Sequence, residues 1–489
     1  MTAQKPSQHP SPSVPTFRIF GYATGDAALS ITQNGVNNFA MLYYTLVLGL
    51  SPVWAGIALS VTLVWDAVTD PVMGHITDHT RTRFGRRHIY ILSGGLLMAG
   101  FFFALWFLPP LVSSTMGVFW MVLVISLLLR TALTVFVVPY VALGFEICPE
   151  YAERSKLQGI RFFVTMATNF LFGAMAWTLF FKDGVDADTG RRIDGTSISS
   201  NYLNMGTVLA LGAIAAILFS VWTTRRHAVD NRDTPLPGKG MLHFVHSMTA
   251  IFRDRLAWFV FAFFGVVQLG MMLTSQMQMF TYVFFMELTH LEKTFVHGAG
   301  MVAFGLCSLS LAKSVDRFDK KPVGYLGIAM GIVGGLSLTA LFTTGLLDPR
   351  ASLTLGKFAI PAGVIAFGLG QALWWGGCGM LTPLAASMIA DASEVNYRRH
   401  GVLKDGSYAS AFSFFTKAAQ SLGLAITGYL IRLSGIEAEA ESQTSEAVRN
   451  IAAMTFLCGP ALLLVVIYIL RKYPIDRDFM KRIREERTS

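Results

Sequence analysis

Apolar residues run along this chain in long stretches separated by short polar connections. About twelve stretches reach the ~20 residues that cross a bilayer as a helix, at roughly 18–48, 53–79, 89–108, 117–145, 158–181, 203–223, 257–285, 295–312, 322–346, 354–390, 406–434 and 448–471. The first, fourth, seventh, tenth and eleventh exceed that length, which predicts tilt or extension beyond the membrane. The longest interruption, TTRRHAVDNRDTPLPGKGMLHFVHSMTAIFRDR, is basic and carries Pro235, Pro237, Gly238 and Gly240, and it divides the stretches six and six.

The pattern predicts an all-α integral membrane protein of twelve transmembrane helices in two halves around a central cavity, a common plan for transporters. The expected organisation is a disordered cytoplasmic tail over residues 1–16, an N-terminal six-helix half over 17–223, a cytoplasmic central loop over 224–255, a C-terminal six-helix half over 256–471 and a basic cytoplasmic tail over 472–489. The first fifteen residues are polar and rich in Pro and Ser, unlike a cleaved signal peptide. The hydrophilic stretch 182–202 reads as a connector.

Composition agrees. Hydrophobic residues make up 53% and charged residues 14% of the chain, against ~25% charged in soluble domains. Of the 39 Lys and Arg, about 29 fall in the tails and even-to-odd connections and about 7 in the opposite loops, which places both termini in the cytoplasm by the positive-inside rule. The net charge of +9 is explained by topology, and no basic stripe on a soluble module points to nucleic acid. Cys148, Cys307, Cys378 and Cys458 have no metal-ligand or redox spacing and read as packed thiols. No nucleophile and base pair or metal-ligand cluster suggests an enzyme, and no cofactor is expected. The chain carries no feature that specifies an oligomer, so a monomer is expected.

The residues that carry chemistry lie inside the apolar stretches. Asp66 and Asp70 are spaced i and i+4, so they share one face of the second helix. Carboxylates at membrane depth are costly enough to require a cation, a proton or a basic partner. Lys417, one turn from Ser413 and from Gln420 and Ser421, lies on a polar face of the eleventh helix and is placed to move between these acids and water. Asp26, Ser30, Gln33 and Asn37 form a stripe on the first helix, consistent with a cavity wall or with interhelical hydrogen bonding. Trp374 and Trp375 offer either an aromatic platform or helix packing.

Arg130 lies midway along the fourth stretch on the same face as Thr134 and Val137. Two readings stand side by side. The guanidinium is a clamp for an anionic substrate, or it is an ion pair with Asp26, Asp66 or Asp70 that balances charge. Asp78, Arg81, Arg83, Arg86 and Arg87, after the second helix, are placed to meet Glu146, Glu153, Arg154, Asp391 and Glu394 as a gate that forms in one conformational state. A solvated positive-inside loop is the alternative.

The runs DAVTDPVMGHITDHTRTRFGRR, PYVALGFEICPEYAERSKLQGIRFF, MIADASEVNYRRHG and FSFFTKAAQSLG resemble the glycoside-pentoside-hexuronide:cation symporters, the family of the melibiose permeases within the major facilitator superfamily. The resemblance extends over nearly the whole chain. It implies the major facilitator fold, with Asp66, Asp70 and Thr134 as the cation site, which takes H⁺ or Na⁺. It implies Asp26, Arg161, Trp375 and Lys417 at the substrate site, to which the charge on Arg130 adds a further candidate. The family's acidic residue on the fourth helix is Val137 here, the tryptophan beside Pro139 is Val141, and a usual aspartate of the tenth-helix motif is Glu394.

The function expected from these residues is secondary symport of a small glycoside, sugar acid or related polar solute, neutral or anionic, across a bacterial inner membrane. Transport of an amphipathic anion such as a lysolipid is an alternative, and a transport-dead sensor or scaffold a more distant one.

Overall fold

The computed structural model describes residues 15–80, 82, 84–85, 87–107, 114–148, 151–173, 175–185, 190, 192–226, 251–355, 358–400, 405–437 and 443–485. Among the described residues, twelve long helices carry the chain back and forth. In the first half they are α1 (Thr16–Leu42), α2 (Pro52–His79), α3 (His88–Phe107), α4 (Thr115–Ile147), α5 (Tyr151–Gly173) and α6 (Ser199–Thr224). The second half comprises α7 (Arg255–Phe280), α8 (His290–Phe318), α9 (Lys320–Leu338), α10 (Ala362–His400), α11 (Asp405–Leu433) and α12 (Ser445–Lys472), with a short terminal helix α13 (Arg477–Glu485). Both described ends of the chain lie at one end of the bundle, here the terminus side; the opposite end is the far side.

Local signals set the helix starts. Ser114, Asp254 and Thr444 accept backbone N–H bonds at the N-termini of α4, α7 and α12, and Thr289 with Glu292 forms a capping box that begins α8. Nine described helices are long and apolar enough to cross a membrane. The long helices outside that set, α1, α5 and α11, carry more polar residues, Asp26, Arg161 and Lys417 among them. α10 is continuous to His400, well beyond the apolar stretch ending at residue 390.

One apolar cluster fills the first half and continues across the far side into the second through Met277, Phe280, Tyr282, Val296, Phe367 and Phe456. A second cluster, including Phe261, Leu384, Met388 and Tyr473, is confined to the second half. The halves are thus joined hydrophobically at the far side. They also meet laterally, where α2 packs along α11. That crossing is close because a side chain cannot be accommodated: a Cβ on Gly428 would stand 2.3 Å from the Pro52 carbonyl oxygen.

The 182–202 segment is more than the connector expected from its hydrophilicity. Gly184–Val185 pairs antiparallel with Arg192–Ile193, and a tight turn at Gly195–Ser197 follows. From this platform Asp194 accepts a 2.5 Å bond from Lys293 of α8, in the other half, and the Lys293 ammonium also lies 5.4 Å over the Trp177 ring. Arg192 donates to the carbonyls of Glu287 and Leu288 at 3.2 and 2.9 Å, again across the halves. Burial opposes ionisation of Asp194, but the Lys293 ammonium and two bonds from Thr196 hold its carboxyl below the usual carboxylate range.

Candidate functional site

The acid pair of α2 sits where the halves meet. Thr134 of α4 shares its hydroxyl proton between Asp66 Oδ1 at 3.1 Å and Asp70 Oδ1 at 2.9 Å. Lys417 of α11 reaches across from the second half to Asp66 Oδ2 at 3.2 Å and donates to Asp70 Oδ2. Arg130 lies one turn from Thr134 on α4, with a terminal nitrogen 3.8 Å from Asp66 Oδ2. All four carboxylate oxygens therefore have a hydroxyl or cationic partner, and two acids face two bases.

Exposure divides the cluster. Asp66 and Arg130 are buried, whereas the side chains of Asp70 and Lys417 keep 31% and 21% of their surface open. The Asp66–Arg130 pair is a fixed internal neutralisation, and Asp70–Lys417 is the pair that can exchange partners. Two unit charges ~4 Å apart interact by about 4 kcal/mol at an effective dielectric of ~20, so a further cation brought against Asp66 Oδ2 meets comparable repulsion from each of two neighbours. The oxygens that hard cations require in number are already engaged.

Asp26 is neutralised separately. Arg161 of α5 grips it through Nε to Oδ2 at 2.8 Å and a terminal nitrogen to Oδ1 at 2.9 Å, and Tyr140 Oη donates to Oδ2 at 2.8 Å. The guanidinium lies 5.4 Å over the Tyr140 ring, which stacks on Tyr22 at 4.5 Å. Gly25 makes room for that stack, since a Cβ there would stand 2.4 Å from the Tyr140 ring. Tyr22 carries no charge or motif that singles it out in the sequence, and Tyr140 lies in the run that begins at Pro139 without a role that its position there announces. Removing Arg161 alone is expected to leave a buried carboxylate uncompensated and cost ~3–5 kcal/mol, whereas Asp26→Asn with Arg161→Gln should cost less than Arg161→Gln alone. Thermal unfolding of the two variants measures this, and a loss in the double variant no smaller than that of Arg161→Gln would remove the coupling between the two side chains.

Between the halves, toward the far side, lies a cavity of about 600 Å³. Its polar lining is mostly amides, Asn34, Asn37 and Asn38 of α1, Asn169 of α5, Gln268, Gln276 and Gln278 of α7, and Gln420 of α11, joined by Ser275 of α7 and His297 of α8. Trp375 of α10 lines it and donates its indole N–H to Gln278 Oε1 at 3.2 Å, approaching Gly300 so closely that a Cβ there would sit 2.8 Å from the indole. Trp374 instead packs into the second half between Gly331 and Gly459. Among the described residues the lining holds no Asp, Glu, Lys or Arg. Leu306 and Leu309 of α8 border it while being 63% and 70% exposed, so the cavity reaches the lipid-facing surface.

The predicted residues thus fall into separate groups. Asp66, Asp70, Thr134, Arg130 and Lys417 form one cluster, Asp26 and Arg161 a second, and Trp375 lines the cavity. Of the two readings of Arg130, substrate clamp or charge balance, the geometry favours the second, since its nitrogen is turned to Asp66. In the gate, Arg87 donates to Glu146 at 3.2 Å and to Thr77 at 2.8 Å, Asp391 accepts from Lys320, and Glu394 pairs with Arg398 at 2.9 Å. These pairs each lie within one half. Arg81, Arg83 and Arg86, and the side chains of Asp78, Glu153 and Arg154, lie outside the described residues.

Twelve spanning helices in two halves, with a cavity and a cross-half ion cluster between them, define a membrane transporter of the major facilitator fold rather than an enzyme. The chain belongs to the MFS/sugar transport protein family, whose model matches residues 21–477. It is similar to the isoprimeverose transporter of Lactiplantibacillus pentosus, at 25% identity over 91% of this chain and 86% of that one. It is also 24% identical to the sodium-dependent lysophosphatidylcholine symporter 1 of Gallus gallus, over 94% of this chain and 86% of the other. A crystal structure of the nucleoside transporter NupG superimposes with a TM-score of 0.63 at 12% identity, covering 94% of this chain and 99% of that one.

Proposed function

We propose that this protein is a cation-coupled symporter for a neutral, amphipathic, polyhydroxylated solute of glycoside type, in a cell membrane with its terminus side cytoplasmic. The observation that carries the substrate class is the cavity lining: amides that hydrogen-bond hydroxyls, an indole for an apolar sugar face, and no formal charge among the described residues. Gln278 Nε2 is buried without a hydrogen-bond partner among the described residues, and a buried donor of that kind favours an incoming acceptor oxygen. The kinship with an isoprimeverose transporter supports the reading.

Coupling follows from where the charged side chains sit. Lys417 belongs to one half and its acids to the other, so a cation that takes Asp70 releases a bond between the halves. Solute seated between α1 and α7 draws the halves together at the cavity. A cycle in which the crossing of the membrane requires both events couples the two fluxes. The lipid-facing Leu306 and Leu309 favour a solute with an apolar portion, but among the described residues the lining carries no Lys or Arg to hold a lysolipid phosphate.

Uptake into vesicles from a panel of neutral glycosides, uronates and lysolipids tests the class. Neutral glycosides are expected to compete at least ~10-fold better than their uronates. Trp375→Ala is expected to weaken them by the ~0.5–1.5 kcal/mol of an aromatic contact, about 2- to 12-fold. Preference for the uronates would instead return an anionic solute.

A further inference from the structure

The coupling ion can be narrowed from the charge arrangement around Asp66, taking the acid pair to be the coupling site as proposed above. The cluster holds two carboxylates and two cationic side chains, all four carboxylate oxygens are engaged, and the position one turn beyond Thr134 that would complete an acidic shell is Val137. An alkali cation needs several oxygens at short range and must be drawn by net negative charge, and this cluster provides neither. Lys417 alone would leave one excess acid, so the residue that completes the balance is Arg130, which is buried and has Asp66 as its described acidic neighbour.

We infer that Arg130 is a tethered cation standing in the place of a transported metal ion, and that it excludes Na⁺ and Li⁺ from the α2 acid pair. Asp66 is thereby withdrawn from ion exchange, and Asp70, open on one side and held by the partly exposed Lys417, is the single carboxylate left to the coupling cation. The proton remains as that cation because it needs no oxygen shell. Selectivity is written in the 2:2 balance and not in the identity of the acids, so removing the base or adding an acid on the same face of α4 should open the site to sodium.

The test is a gain of sodium binding by the full-length protein in detergent, read as a saturable upward shift of the thermal unfolding midpoint in NaCl or LiCl relative to choline chloride at equal ionic strength. The wild type is expected to show no such shift. Arg130→Gln should be less stable in choline and recover in sodium, with an affinity at least ~10-fold above any residual wild-type response. Val137→Asp, which keeps Arg130 and adds an acid, should gain the same response, so the idea is exposed to refutation even where the Gln variant does not fold. Adding Asp70→Asn to whichever variant responds should erase the gain.

Saturable sodium protection of the wild type overturns the inference, and if Asp70→Asn abolishes that protection the acid pair stands as the ion site and only the part played by Arg130 falls. Folded variants that stay indifferent to sodium overturn it as well. A gained response that survives Asp70→Asn places sodium elsewhere and removes both the inference and the reading of the acid pair as the coupling site.

Discussion

Replacing Asp70 with Asn is expected to reduce concentrative uptake to simple equilibration while exchange of internal for external solute continues. A cation moving down a membrane potential contributes ~2.3 kcal/mol per 100 mV, enough for about 50-fold accumulation, and this factor should collapse to about one. The reason is local. The carboxylate accepts from Thr134 on α4 and from Lys417 on α11, and it is the partly open member of the acid pair. An amide retains the shape but holds neither a coupling cation nor the lysine by charge.

Asp66→Asn should chiefly cost stability, because it strips the charge opposite buried Arg130, and should lower accumulation less than Asp70→Asn, since Asp66 is already neutralised. Vesicle uptake with and without an imposed cation gradient, beside counterflow at equilibrium, separates coupling from substrate binding. Unchanged accumulation in both variants would remove the acid pair from the coupling mechanism.

Much of this was legible in the chain, because the membrane imposes long apolar stretches and the helix imposes a fixed periodicity. The stretch 53–79 is α2 to within a residue, and the i, i+4 spacing alone puts Asp66 and Asp70 on one face. Charges blurred the ends. α8 begins at His290 and not at 295, since Glu292 and Lys293 look like loop in a hydropathy reading although Thr289 and Glu292 spell a capping box. α10 overruns its apolar stretch because MIADASEVNYRRH stays helical beyond the apolar core.

What the sequence left open were partners far apart in the chain. Three acids were candidates for Arg130, and the choice was made by Arg161, which occupies both oxygens of Asp26 and leaves Asp66 for Arg130. The amide cavity draws on helices separated by hundreds of residues, so local patterns pick out only pieces of it, Asn37 in the first-helix stripe, Trp375 and Gln420. The far-side contact between Asp194 and Lys293 spans 99 positions and gives a hydrophilic loop a mechanical part that its composition conceals.

Lys293 is buried at 1% exposure, with Asp194 as its ion-pair partner and Trp177 beneath it. Asp194→Ala leaves the ammonium uncompensated, a change that costs ~3–5 kcal/mol when one partner of a buried pair is removed. Because the pair joins the halves, much of that cost falls on conformations in which the far side is closed, and a shift of this size moves an equilibrium by about 150-fold or more. The far side should open. A cysteine placed on the far-side wall of the cavity, at Asn37, is then expected to react with a membrane-impermeant thiol reagent much faster in the Asp194→Ala background than in the parent. The exchange Asp194→Lys with Lys293→Asp should restore part of the protection, since the pair is re-formed with its charges reversed. Acid should act in the same direction as the alanine: the folded carboxyl titrates below its usual range, so the contact is fully present above about pH 4 and is lost as the pH falls below it. Equal reactivity of the parent and Asp194→Ala would mean that the apolar contacts around Tyr282 and Phe367 close the far side unaided, and the ion pair would then be a fastening of the loop with no part in the transport cycle.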